Sequence, residues 1–363
     1  MKQRELVDVY TLIEQYHDRG LTDGLPVVPP EQSLVDAAVA YTGRSPDEVL
    51  GVMPPKYTEV TVRDAATNAV MAGCLPEHLP VVLAALEVIL HPDFNPMGVA
   101  TSTKGVAPLL IVNGPVRGRL GLNARGSLFG PGPRANAAIG RAVRLVMLNL
   151  GGATPRVLDK TTIGHPGKYT QVIAEDEEGS QWPPLHVSRG YREGDDVVTV
   201  IAVEGATQVL TQGPTRPETV LDTLIESLNV ASHYTSGGPT ECLVIFSPEH
   251  RAIFHRAGWS RERVATYIHD NCWRTAGDLW RLERDARGVA PGEPESSRVA
   301  LFGSPDDLTL VAAGGPGVVS TFCWGFADHR LLGHSGHRLI SPPSADAAPN
   351  TPLETGEARG SES

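Results

Sequence analysis

Between Gly164 and His186 the sequence "GHPGKYTQVIAEDEEGSQWPPLH" gathers two histidines, a lysine, a tyrosine and four consecutive acids. General acid–base chemistry needs groups whose pKa can be moved toward neutrality, and this set supplies them. His165, Lys168, Tyr169 and Glu175 are therefore candidate catalytic residues, with His186 beside them as a substrate-binding candidate. Convergence of His165, His186 and one glutamate would instead make a divalent-metal site. That spacing matches no local metal motif, so a metal stays an open alternative. Taken alone, the run "EDEE" is what a solvated hairpin turn carries. The density of Gly, Pro, His, Lys and Tyr around it argues for a functional loop.

A second stretch, "FGPGPRANAAIGRAVRLVMLNLGG" at 129–152, runs a Gly/Pro-rich loop into an apolar helix. Free N–H groups and the positive dipole end at a helix start favour an anion. Arg134 could add a bidentate fork for a carboxylate or phosphate, with Asn136 and Arg141 nearby. The loop is neither a Walker loop nor GxGxxG, so it does not specify a nucleotide. Arg141, set among apolar neighbours, would need a partner if buried. Cys74 in "MAGCLPEH" would be a nucleophile if its pKa were lowered, with His78 four residues on. "SHYTSGGP" at 232–239 has the composition of an active-site loop and contributes Ser236, although a plain connection explains it equally. The His-rich "CWGFADHRLLGHSGHRL" at 323–339 could bind metal or simply lie exposed.

The elements that must hold these residues can be read from periodicity. An amphipathic helix opens the chain at 5–18, and "DGLPVVPP" must be extended because of its prolines. "SPDEVLGVM" has a capping-box start and predicts a helix from Ser45. Apolar helices are expected at 62–72 and 76–91, a buried strand at 107–115, a helix at 133–150, and strands at 169–175 and 197–205. The same order recurs about 130 residues on, as helix 218–231, strand 241–248, helix 260–272 and strands 298–303 and 308–315. The fold class expected is α/β: two similar α/β halves from an internal duplication, with an N-terminal helical arm. The arm covers 1–60 and the halves 61–205 and 206–340. A cleft between such halves is a common ligand site. Residues 341–363 lack apolar side chains to bury and read as a disordered tail.

The net charge of −11 with no basic run argues against nucleic-acid and anionic-membrane partners. No apolar run reaches the roughly 20 residues of a membrane span, and the charged N-terminus is unlike a signal peptide. A soluble cytoplasmic protein, forming homo-oligomers, is expected. The four cysteines include no CxxC pair and read as buried thiols.

Taken together, "DGLPVVPP", "NAVMAGCLPEHLPVVLAALE", "APLLIVNGP", "FGPGPRANAAIGRA", "GHPGKYTQVIAEDEE" and "PLHVSRGY" resemble the large domain of the UGSC family of (seleno)proteins, over roughly residues 20 to 320. Members of that family are often labelled thioredoxin-like or disulfide reductases. Its name comes from a Sec/Cys-Gly-Ser-Cys motif in a small C-terminal domain, and that motif is absent from this sequence. The resemblance implies either a separate CGSC-type small subunit or chemistry without a dithiol. Carried over by position, it implicates Cys74, Arg134, Asn136, His165, Lys168, Tyr169, Glu175 and His186. The leading expectation is an enzyme acting on a small anionic metabolite by lyase or hydro-lyase chemistry. The alternatives are a large redox subunit, a metal-dependent enzyme and a non-catalytic scaffold.

Overall fold

Prolines and glycines cut the chain into short elements. The computed structural model describes residues 8–231, 241–282, 289, 292–326 and 334–344. Helices α1 (Val9–Asp18) and α2 (Gln32–Thr42) flank the extended "DGLPVVPP". The helix expected from Ser45 is absent. Ser45–Glu48 is a turn closed by the Glu48 N–H on the Ser45 carbonyl (3.1 Å), and it leads into strand β1 (Val49–Met53). The reason is local competition. Too few residues precede Pro54 to build a stable helix, and the carbonyls of Pro46 and Glu48 accept from Arg63 and Val62 instead. β1 pairs antiparallel with β2 (Thr58–Thr61). A Thr61–Asp64 capping box then starts α3 (Val62–Met71). Helix α4 (Leu79–Ile89) is apolar on nearly every face and correspondingly buried.

After α5 (Pro96–Thr101) comes β3 (Ala107–Asn113), seven residues buried on both faces. The short α6 (Val116–Arg119) precedes α7 (Arg134–Asn149), which Pro133 starts and Gly151–Gly152 stops. Next are β4 (Val172–Ala174), α8 (Leu185–Ser188) and β5 (Val197–Val203). Then follow β6 (Thr207–Leu210), α9 (Pro217–Ala231), β7 (Cys242–Phe246), α10 (Pro248–Arg256) and α11 (Arg261–Asn271). Beyond these lie β8 (Trp273–Thr275), α12 (Ala276–Arg281), β9 (Arg298–Ala300), β10 (Leu308–Ala312), β11 (Val319–Trp324) and β12 (Gly336–Leu339). The segment 298–303, expected as a main-sheet strand, supplies β9, which pairs only with β8. The strand beside β7 is β10.

These strands build two four-stranded sheets, ordered β12-β5-β3-β4 and β10-β7-β11-β6. Each has one parallel pair, β3 with β4 and β7 with β10, and an antiparallel strand against the central one. The fourth strands are exchanged. β6 follows β5 in sequence yet pairs with β11, and β12 follows β11 yet pairs with β5. Alternation along the strands sorts the core into layers. Leu109, Ile111, Ile173, Ile201 and Val203 face Leu243, Ile245, Val311, Ala313 and Cys323 across the gap between the sheets. Leu110, Val112, Val198 and Val200 turn outward to α2–α4 and α7, and the second sheet's other face meets α9–α11. The result is a four-layer α/β/β/α sandwich. The two sheets share one strand pattern; an internal duplication as its origin stays an inference from element order.

Residues 27–42 of the expected arm pack into the same cluster as α3, α4 and α7. The segment 345–363, most of the expected tail, lies outside the described residues.

Candidate functional site

The close approach of α7 to the start of β4 shapes the site. Gly140 permits it: a Cβ there would meet Thr170 Oγ1 at 2.5 Å and Gln171 N at 2.8 Å. One helical turn on, the Arg144 guanidinium lies over the loop before β4, donating from Nε to the Lys168 carbonyl (2.9 Å). A cavity of about 520 Å³ opens here, within the about 300–1,000 Å³ usual for small-molecule sites. Arg144 and Leu148 of α7 wall one side. Asp159, Thr161, His165, Lys168 and Tyr169 wall the other, with Arg156 and Ile163 also lining it.

The charges inside are organised around Asp159. Its carboxylate, almost fully buried, accepts from Lys168 Nζ at 2.7 Å and from the Thr161 N–H at 3.1 Å, with Arg144 at 3.9 Å. Lys168 Nζ also donates to Thr161 Oγ1 (2.6 Å). An ammonium has three donors, so one is left for a ligand. Burial pulls the Lys168 pKa below the ordinary lysine value, with the Arg144 charge helping and the Asp159 hydrogen bond opposing. Burial likewise lowers Arg144, and Asp159 is held low by its hydrogen bonds against the opposing effect of burial. The second acid at the rim, Asp23, is engaged by Arg141 at 2.7 and 2.8 Å. Three cations (Arg144, Lys168 and the exposed Arg156) thus share the single carboxylate of Asp159, and the cavity favours an anion.

His165 sits in the same wall. Its Nδ1 accepts from the Gly167 N–H (3.1 Å), which puts the proton of the neutral ring on Nε2. Burial lowers its pKa, so the ring is neutral near pH 7. Nε2 is buried beside the backbone of Gly105 and makes no hydrogen bond of ordinary geometry.

Of the residues singled out by sequence, then, His165, Lys168 and Tyr169 converge on one cavity. The others do not reach it. Glu175 lies past the far end of β4, fully buried, accepting from Asn113, from the Leu185 N–H and from Arg261 (2.6, 2.6 and 2.8 Å). The "EDEE" run is not a solvated turn either. Asp176 binds Arg125 and Arg251, and Glu177 and Glu178 bind Arg117. His186 is buried, with Nε2 3.1 Å from the Arg192 carbonyl, and it does not converge with His165. Among the described residues no three His, Cys, Asp or Glu side chains are placed to hold a metal ion, so the expected His/Glu ligand set is not assembled.

At the helix start at Pro133 the side chains expected to hold an anion are engaged within the protein. Arg134 donates through Nε and Nη2 to the Gly73 carbonyl (3.0 and 2.9 Å), capping the segment after α3. Asn136 bridges the Asn123 N–H and the Val172 carbonyl (2.8 and 2.9 Å). Arg141 clamps the N-terminal segment through Asp23. Burial pushes the Cys74 thiol up to about 12, the opposite of an activated nucleophile. Ser236 lies outside the described residues. The cavity itself belongs to the first half, not to the cleft between halves where it was expected.

Sequence reasoning missed Arg144, Arg156, Asp159 and Thr161. Arg144 was detectable: it stands three residues after Arg141 on one helical face, among Val143, Leu145 and Val146. A cation in such company needs a buried partner.

The class that fold and site define is a four-layer α/β/β/α protein with a cation-rich cavity at the start of a parallel edge strand. Comparison with family models, with curated proteins and with solved structures finds no match. Among the described residues no helix is long and apolar enough to cross a membrane.

Proposed function

We propose that this protein is an enzyme that binds a small organic anion in the cavity around Lys168 and moves a proton on it, in a lyase or hydro-lyase reaction. The carrying observation is the Lys168 ammonium, half-buried between Asp159 and Arg144 with its pKa depressed and one donor unspent. A depressed lysine releases its proton closer to neutral pH than a free one, which suits it to take a proton from carbon beside a carboxylate. The same group, once protonated, returns a proton to a departing hydroxyl. Arg156 and Arg144 offset the substrate's charge, and the neutral His165 ring forms part of the wall without adding a charge.

The resemblance to the UGSC proteins would add a dithiol-bearing partner subunit. The site makes no use of thiol chemistry: burial holds Cys74, Cys242, Cys272 and Cys323 as neutral thiols. The proton-transfer reading is therefore preferred.

The test is turnover on a panel of 2- and 3-hydroxycarboxylic acids, followed by ultraviolet absorbance of the unsaturated product. Lys168→Met should lower the rate by about 10²–10⁴-fold, the usual contribution of a positioned acid–base group. Equal turnover by the wild type and Lys168→Met would remove this reading.

A further inference from the structure

A second cavity, of about 410 Å³, lies where the two halves meet. Leu185, Ser188 and Arg189 of the α8 region line it from the first half. Arg261, Ala265 and Thr266 of α11, with Leu308 and Leu310 of β10, line it from the second, and His337 of the exchanged strand β12 completes it. None of these residues belongs to the Lys168 cavity.

Its electrostatics are unusual for an empty junction. Arg189 is half-buried, and the described residues give it one hydrogen bond, from Nη2 to Thr309 Oγ1 (3.0 Å), and no carboxylate within ion-pair distance. Buried cations are normally paired. Arg261, 6% exposed, spends Nη2 on Glu175 and the Pro183 carbonyl and Nη1 on Ser188, while its buried Nε has no partner. The buried Nδ1 of His337 also lacks one. Unspent donors and a guanidinium without a direct carboxylate contact, in a roomy cavity, describe a place for an oxyanion.

The charge count narrows its class. Glu175 already neutralises Arg261, whereas Arg189 feels the charges of Glu241 and Asp306 only at a distance and has no ion-pair contact among the described residues. Glu262 and Asp306 stand exposed at the rim and would repel a second negative charge. We propose that this cavity is a second ligand site, distinct from the Lys168 cavity, for a small molecule bearing a single carboxylate that Arg189 receives. A planar guanidinium fork matches a carboxylate geometrically. A dicarboxylate or a phosphate dianion would meet the acidic rim.

Isothermal titration of the full chain with propionate, succinate and inorganic phosphate tests this. All titrations are run in the Lys168→Met background, which removes the competing carboxylate site, and propionate should still bind there because none of the residues lining the second cavity is altered. Arg189→Gln should weaken propionate binding by roughly tenfold or more, the effect of one lost charge-assisted hydrogen bond. Thr309→Val, which removes only the hydroxyl holding Arg189, should weaken it by a smaller factor while the melting temperature without ligand confirms folding. Three results would each overturn the proposal. They are no propionate binding, binding unaffected in folded Arg189→Gln, or tighter binding of succinate or phosphate than of propionate.

Discussion

Lys168 and Asp159 show how one pair can be both a structural clamp and a poised acid–base group. The hydrogen bond and charge of Asp159 raise the lysine's pKa, while burial and Arg144 lower it. Asp159→Asn removes the raising influence and nearly preserves shape. The limb of the pH–rate profile that reports Lys168 should therefore move to lower pH, and a limb that stays or moves upward would show that another group is being titrated. His78 makes a stability statement of the same kind. Burial pulls its pKa down to about 4 from the ordinary 6.5, so the folded protein holds the ring neutral. As pH falls from about 6.5 the unfolded chain takes the proton first, and stability drops until about pH 4, where the folded ring is protonated too. The loss should be on the order of 2–3 kcal/mol. His78→Asn, which keeps an acceptor for the Leu75 N–H, should flatten the melting temperature across that window.

At the scale of elements, three residues of β4 separate two kinds of chemistry. Before the strand lies the loop of His165 and Lys168; after it lies an ion-pair hub of Glu175, Asp176 and Glu177 with arginines from α6, α10 and α11. The hub ties the first half to the second, because Arg251 and Arg261 come from beyond β7. Glu175→Ala would strand Arg261 as a buried unpaired charge, and a loss of about 3–5 kcal/mol in denaturant unfolding is expected. Glu178→Ala removes a largely exposed carboxylate and should change stability by no more than about 0.5 kcal/mol. Equal effects would mean the hub is solvated in solution.

For the whole molecule, the exchanged strands decide cooperativity. β12 closes the first sheet and β6 the second, so each half depends on a strand encoded beside the other. A chain ending after β5 would lack β12 and leave Leu109, Ile111, Ile201 and Val203 uncovered. Such an exposed apolar sheet face and free edge favour association. Residues 8–205 expressed alone should run as aggregates in size-exclusion chromatography; a monomer with native-like circular dichroism would contradict this.

Most elements were legible in the sequence because their causes are local. Runs such as "APLLIVN" alternate or saturate with apolar side chains, and Pro133 and Gly151–Gly152 bound α7 whatever surrounds it. The turn at Ser45–Glu48 was misread because its carbonyls are claimed by Val62 and Arg63, which a local pattern does not show. The site was legible only in part. His165, Lys168 and Tyr169 lie within one short loop, so proximity in sequence became proximity in space. Arg144 reaches them because Gly140 lets α7 close on Thr170, and Glu175 leaves them because a strand carries it to the other end of the sheet. Residue types and their order set which chemistries were available. Long-range packing, through the α7–β4 approach and the exchange of β6 and β12, decided which charges meet in a cavity and which are spent holding the halves together.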